Sequence, residues 1–302
     1  MKRFNIIIDY LTLLIVICLG FISRFLSIQS RGKFGQFVGR FLMISRRRKK
    51  ITYDNIKTAF PEFAEERIQE ILVGSYHNLG ITMMELLAFP YLKIDGFRKY
   101  LKYENEDLFR QIHSRGKGMI LLSGHYGNWE MLACTAGAFS KIPITIVVKP
   151  QRNKLIDHYL NQYRTMYGNS IVPMSKAAKI MIKAIKNNEA VALLVDQSAD
   201  ASKDIFVDFF GRKAVTYEAP AALALRLNVP ILIGFAVRNS DFTYTVELNE
   251  LKHDDLNNDS AGIAELTKRH VAILENIIRK HPHLWAWQHN RWKHKAPNTE
   301  NE

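Results

Sequence analysis

Hydrophobic and polar positions divide this chain into stretches of different texture. From Ile6 to Ile22 the run IIIDYLTLLIVICLGFI carries a single charge, Asp9, between Lys2 and Arg3 on one side and Arg24 on the other, with Phe25 and Leu26 prolonging its apolar character. It falls slightly short of the ~20 residues that span a bilayer, and no A-x-A-like cleavage site follows it, so a retained membrane anchor is favoured over a removed signal peptide. A buried amphipathic helix is the competing reading. From about 51 to 92 apolar residues recur at three and four spacing, with Pro61 opening a new helix near Glu62, which predicts a helical lead-in region continuous with the anchor.

From Gly118 onward short apolar runs alternate with amphipathic stretches. GMILLSG, ITIVVKP, NSIVP, AVALLVDQ and PILIGFAVR predict strands, and EMLACTAGAF, RNKLIDHYLNQYRTMYG, SKAAKIMIKAIKN and TYEAPAALALRLN predict helices, with Ser175 and Thr216 as N-caps. Strands alternating with helices imply an α/β fold, with a mostly parallel central sheet flanked by helices. ILIGFAVR and FTYTVELNE, joined by NSD, predict a hairpin at one edge, and a last helix over about 260–279 stops before Pro282. The expected organisation is an anchor over 1–30 and a second unit over 31–302, helical to about 100 and α/β from about 101.

Charge narrows the partners. Lys and Arg number 42 against 29 Asp and Glu, a net charge of +13 that favours an anionic lipid headgroup, an acidic carrier protein or nucleic acid. The cluster SRRRKK, Ser45 to Lys50, suits anionic headgroups on the cytoplasmic side of a membrane, or stands as a solvated patch. Cys18 and Cys134 are the only cysteines, which excludes a disulfide framework or thiolate metal site and points to a reducing compartment. No HExxH occurs, and no second close histidine pairs with His125 at metal-ligand spacing, so neither metal nor cofactor is expected.

The stretch LLSGHYGNWEM, Leu121 to Met131, places His125 five residues before Glu130. With ten histidines in the chain, roughly one HxxxxE or HxxxxD match arises by chance. His270 and Glu275 supply such a match inside the last helix, where five residues rotate by about 140° and turn the two side chains to different faces. His125 differs because it follows a strand, at the carboxyl edge where ligands of open α/β sheets bind, while Glu130 falls in the first turn of the next helix. A carboxylate there could hold one ring nitrogen and leave the other free; a histidine that merely caps the helix is the alternative.

These residues carry a family resemblance. SGHYGNWE resembles the HxxxxD/E block of the bacterial lipid A late acyltransferases, the lauroyl and myristoyl transferases within the wider lysophospholipid acyltransferase superfamily. Further blocks follow in the family's order: ITYDNIKTAFPE, the arginine and glycine of YRTMYGN, VALLVDQ, VDFFGRKAVT and HPHLWAWQHNRWK. The resemblance implies transfer of a fatty acyl chain from an acyl carrier protein thioester to a hydroxyl of a phosphorylated glycolipid, a lipid A precursor, at the cytoplasmic face of the bacterial inner membrane. It makes 31–302 an acyltransferase domain, His125 the general base and Glu130 its orienting carboxylate. The absence of a GxSxG elbow agrees with direct attack on the thioester without an acyl-enzyme.

Around this pair stand candidates for oxyanion stabilisation or substrate binding. Arg164 matches the family block, with Lys149 and Arg152 as rivals. Asp196 and Gln197 end the strand VALLV, where the aspartate could hold Arg164, hold a substrate group or cap the loop. Asn128 and Arg291 join them as substrate-contact candidates. Gly211, Arg212 and Lys213 precede a helix expected to open at Thr216, a start suited to a phosphate or carboxylate. Trp285, Trp287 and Trp292 interleave with His289, Arg291 and Lys293, which suits a membrane interface, a phosphorylated lipid, nucleic-acid bases or, most simply, core packing. A nucleic-acid-binding reading accounts for the charge and the tryptophans but leaves the anchor and the strand-end His125 unexplained, so no nucleic-acid partner is expected. Other acyl acceptors (a glycolipid, an aminolipid or a lysophospholipid) stay open.

Overall fold

The computed structural model describes residues 2–296, with side chains from Ile6 onward; the side chains of Lys2 and Arg3 lie outside the described residues. Four helices come first: α1 (Lys2–Arg24), α2 (Ile28–Leu42), α3 (Arg46–Ala59) and α4 (Glu65–Ala88). A one-turn helix α5 (Ile94–Phe97), strand β1 (Leu101–Tyr103) and helix α6 (Glu106–His113) lead into the alternating part. That part runs β2 (Met119–Ser123), α7 (Trp129–Ser140), β3 (Ile144–Val148), α8 (Lys154–Thr165), β4 (Ser170–Pro173), α9 (Ala177–Lys186) and β5 (Ala190–Leu194). It closes with β6 (Ile205–Phe209), β7 (Arg212–Thr216), α10 (Ala219–Leu227), β8 (Ile231–Arg238), β9 (Tyr244–Leu251) and α11 (Ser260–Lys280).

The main sheet has seven strands in the order β1-β9-β8-β2-β5-β3-β4. From β8 to β4 they are parallel, while β9 returns antiparallel along β8 as the expected hairpin and β1 pairs with it. Side chains of β2 alternate between two cores, Ile120 and Leu122 in one and Met119 in the other, as the period of two requires for a sheet covered on both faces. Strand β1 was invisible in sequence because three residues carry no period; its partner lies about 140 residues away in β9, Leu101 opposite Tyr244.

Connections leave the adjacent strands β2 and β5 in opposite directions. The chain after β2 crosses to β3, beyond β5, whereas the chain after β5 returns to β8, on the far side of β2. That reversal opens a crevice at the carboxyl ends of β2 and β5, where open α/β sheets take ligands.

Helix α1 is long and apolar enough to cross a membrane, and only 11% of its Ile6–Arg24 stretch is buried by the rest of the chain. The buried-core alternative therefore fails. One stripe touches the body: Gly20 lies against Leu87, the Ser23 hydroxyl donates to the Met84 carbonyl (3.0 Å), and the Asp9 carbonyl accepts from Asn153 (3.3 Å). Ile7, Leu14, Ile15 and Phe21 on the other faces are exposed. Helix α2 crosses α4 with the backbones in contact, because a Cβ on Gly80 would stand 2.2 Å from the Gly35 carbonyl oxygen.

Two expectations are corrected. Thr216 does not cap a helix: VDFF and RKAVT form the antiparallel ribbon β6–β7, closed by Phe210 and Gly211, both at positive φ (54° and 69°), as a two-residue hairpin requires. Gly211, Arg212 and Lys213 thus lie on a ribbon and not before a helix start; α10 opens later, at Ala219, with Pro220 in its first turn. Ser175 sits in a single 3-10 turn, and the residue preceding α9 is Lys176, with no side-chain cap.

Candidate active site

His125 lies two residues past β2 and Asp196 two residues past β5. The parallel register sets Ser123 opposite Leu194, so continuing it brings these two side by side. Asp196 Oδ1 accepts from His125 Nδ1 at 2.7 Å, and its Oδ2 accepts from the His125 backbone N–H at 2.7 Å and from the Trp285 indole N–H at 2.8 Å. The carboxylate is buried, while the imidazole is about one-fifth exposed and presents Nε2 to a cavity. Gly124 makes room: a Cβ there would press on the Asp196 carboxyl at 3.3 Å.

This corrects the assignment of Glu130. Its carboxylate grips Arg164 through both oxygens, to Nε at 3.0 Å and Nη2 at 2.6 Å, while Arg164 Nη1 donates to Asn161 Oδ1 at 3.1 Å. Glu130 points along α7 towards α8, and the Nδ1 position it was expected to fill is taken by Asp196 from the neighbouring strand. Arg164, read as a free cation for an oxyanion, is committed to that bidentate pair. Asp196 correspondingly holds the histidine itself and not Arg164.

Electrostatics follow the geometry. Burial alone would favour an uncharged Asp196, yet the His125 cation and three donated hydrogen bonds outweigh it and bring its pKa down to about 2. Burial likewise opposes the imidazolium of His125, and the Asp196 carboxylate, by charge and hydrogen bond together, raises its ionisation above the ordinary 6.5. With Nδ1–H held by the carboxylate, Nε2 carries the lone pair, and the Gln197 side-chain amide donates to it at 3.3 Å.

The other candidates separate into those at the cavity and those behind it. Gln197, Lys149, Glu130 and Arg164 line it. Asn128 is fully buried and caps α7: its carbonyl oxygen accepts from the Met131 N–H at 2.9 Å and its amide donates to Glu85 at 2.7 Å. Arg291 is also buried, donating to the Val215 carbonyl and, at 2.6 Å, to the Thr216 hydroxyl, so it ties β7 to the C-terminal segment behind the cavity lining. Burial lowers its pKa to about 10. Trp285 and Trp287 are core residues, whereas His270 and Glu275 share no hydrogen bond, as the helical rotation required.

Sequence reading missed the scaffold beneath the turn. Glu85 of α4, buried with Arg238 and Tyr244, receives Asn128, while Thr82 donates to the Gly127 carbonyl at 2.9 Å. Gly127 is forced by the fold, since it has φ +56° and a Cβ would lie 1.7 Å from the Ala236 carbonyl oxygen. From the opposite side the Ala286 N–H donates to the His125 carbonyl at 3.0 Å, and Asn55 clamps the Trp287 and His289 carbonyls. Polar residues spaced through an amphipathic helix give no sign that they converge on one turn.

The cavity has a volume of about 540 Å³ and runs from His125 into the core. Leu121, Leu132, Ala136, Phe139, Ile146 and Leu232 wall it, and Tyr103 and Phe139, edge to face at 5.8 Å, stand at its inner part. Walled mostly by apolar side chains, such a space takes an extended apolar chain.

Residues 1–294 match the family described as bacterial lipid A biosynthesis acyltransferase. The chain is similar to a lipid A biosynthesis lauroyltransferase of Escherichia coli (strain K12), 24% identical over 265 residues, which are 86% of this chain and 82% of that protein. It is also similar to a lipid A biosynthesis acyltransferase of Haemophilus influenzae, 20% identical over 279 residues, covering 92% and 85% of the two chains. The chain belongs to the bacterial lipid A biosynthesis acyltransferase family and is an acyltransferase.

Proposed function

We propose that the enzyme moves a fatty acyl group from an acyl carrier protein thioester to a hydroxyl of a phosphorylated glycolipid, a lipid A precursor, with His125 as general base and Asp196 as the residue that orients it. The observation that carries this reading is a histidine whose Nδ1 is held by a buried carboxylate and whose Nε2 faces a long apolar cavity. The acyl chain lies in the cavity with its thioester carbonyl near Nε2. Nε2 takes the hydroxyl proton as the oxygen bonds to the carbonyl carbon; the C–S bond then breaks and the departing thiolate takes the proton from the imidazolium. Asp196 stabilises that transient cation without becoming protonated.

Gln197 supplies the polar N–H closest to the reacting nitrogen and turns to the developing oxyanion once the substrate hydroxyl takes its place on Nε2. Glu130 and Arg164 brace α7 against α8 beside the cavity and keep Trp129, which meets the His125 ring edge to face at 5.2 Å, in position. The exposed apolar surface of α1 supports a seat for the enzyme at the inner membrane, with the catalytic part in the cytoplasm where carrier thioesters are found. The chemistry requires neither metal nor cofactor.

Incubating the purified protein with acyl carrier thioesters and phosphorylated disaccharide lipids, then reading products by mass spectrometry, tests the proposal. One acyl group added to the lipid is expected. A product only on lysophospholipids or other acceptors would overturn the acceptor, and turnover unchanged in His125→Ala would overturn the base.

A further inference from the structure

We infer that the carrier that delivers the thioester docks on a basic and apolar rim built from the residues after β3 and β4, with Lys176 and Lys179 as its principal contacts; this rests on the carrier-borne donor proposed above. Strands β3 and β4 are neighbours in register, Val148 opposite Pro173, so their outgoing segments emerge side by side. One brings Lys149, Gln151 and Arg152, and the other Met174, Lys176, Ala178 and Lys179; all seven are exposed. Lys149, Gln151, Met174 and Ala178 also line the cavity, which makes this rim part of its mouth.

Two properties select the occupant. Among the described residues, Lys149, Arg152, Lys176 and Lys179 have no carboxylate within ion-pair distance, whereas many basic side chains elsewhere are paired. Helix α9 itself reads AAKIMIKAIK, in which all three charged residues are lysines, with Lys176 just before it and no acid along it. Exposed Met174 and Ile180, 43% accessible each, sit among these cations. Dispersed lysines around exposed apolar side chains complement the surface of an acidic protein, whereas a phosphate group is gripped by convergent, partly buried donors. An acidic carrier also stays outside a cavity of about 540 Å³ and sends only its acyl arm through the mouth, so its contact surface belongs at the rim.

The test uses the full-length enzyme and Lys176→Glu/Lys179→Glu, with Lys117→Glu/Arg226→Glu as an equal charge change away from the rim. Both substitutions in the first variant place acid at the start of α9, where the helix dipole favours it, so the fold is preserved. Steady-state kinetics are measured with an acyl carrier protein thioester and with the same acyl group on pantetheine. The expected result is a KM for the carrier-borne donor raised about tenfold at low salt, converging with wild type as salt screens the charges, and unchanged kinetics on acyl-pantetheine. The Lys117→Glu/Arg226→Glu variant keeps the wild-type KM for both donors. An unchanged KM for the carrier, or a rise in KM for the lipid acceptor instead, would overturn the docking surface. Wild-type enzyme that turns over acyl-pantetheine but not the carrier thioester would overturn the donor reading itself.

Discussion

Two carboxylates stand near His125, and they teach opposite lessons about distance along a chain. Glu130 is five residues away and turns aside to Arg164; Asp196 is 71 residues away and holds Nδ1 at 2.7 Å. The difference is set by the elements that carry them. Glu130 rides in the first turn of α7, so its direction is fixed by the helix and by the Asn128 cap, and it faces α8. Asp196 sits two residues past the strand hydrogen-bonded to β2, so strand pairing sets the two ends together, at the ~4.8 Å spacing of adjacent strands.

Removing the base gives the largest expected effect. His125→Ala should lower kcat by about 10²–10⁴-fold, the range for loss of a positioned general base, with the fold unchanged by circular dichroism. Asp196→Asn comes next, about 10²-fold in kcat, and it carries a second signature in the pH profile. Activity in the wild type needs neutral His125, whose ionisation Asp196 holds above 6.5, so the rising limb of kcat/KM lies above that value. Asparagine removes the charge and leaves burial to act alone, so the limb should move to lower pH as the rate falls. A limb that stays in place would mean that Asp196 does not set the histidine's ionisation.

The same comparison makes Glu130→Gln a smaller lesion of another kind. Glu130 and Arg164 are 13% and 12% exposed, so breaking the pair leaves a largely buried guanidinium half-satisfied and should cost about 1–3 kcal/mol in urea denaturation. The rate should fall less than in Asp196→Asn, with the pH limb nearly fixed. Arg164→Met added to Glu130→Gln should recover part of the lost stability, because it removes the stranded charge. A Glu130→Gln enzyme as slow as Asp196→Asn, with its limb displaced, would return the orienting role to Glu130.

Much of the fold was legible because it is local. The five parallel strands, the β8–β9 hairpin and the helices between them follow from runs of four to eight apolar residues and their punctuation. The strand-end position of His125 was legible for the same reason, and so was the rank of Asp196 above other acids. Their partnership was not, since which strands become neighbours is decided by crossovers that leave no period in the sequence. The ribbon β6–β7 was lost because Gly-Arg-Lys reads equally as a loop or as a hairpin tip, and the choice rests on Phe210 accepting a positive φ while it packs against Phe60 and Trp287. Arg291 misled because a cation among tryptophans looks like a lipid contact until its donors are found on the Val215 carbonyl and Thr216.

The finest division between the two carboxylates lies in what supports each from behind. Among the described residues Glu130 has only its arginine, whereas Asp196 also receives the Trp285 indole N–H at 2.8 Å, from a side chain that is 1% exposed. Trp285→Phe removes that donor and leaves the aspartate charge and its two bonds to His125 in place. The expected loss is therefore small, about three- to tenfold in kcat and about 1–3 kcal/mol in stability, from one vacated hydrogen bond and a modest void. The pH limb should stay where it is in the wild type, because the charge that raises the histidine's ionisation is still there. If the limb instead fell as in Asp196→Asn, the indole would be required to keep the carboxylate on Nδ1, and the dyad would have to be described as a triad whose third member comes from the C-terminal segment.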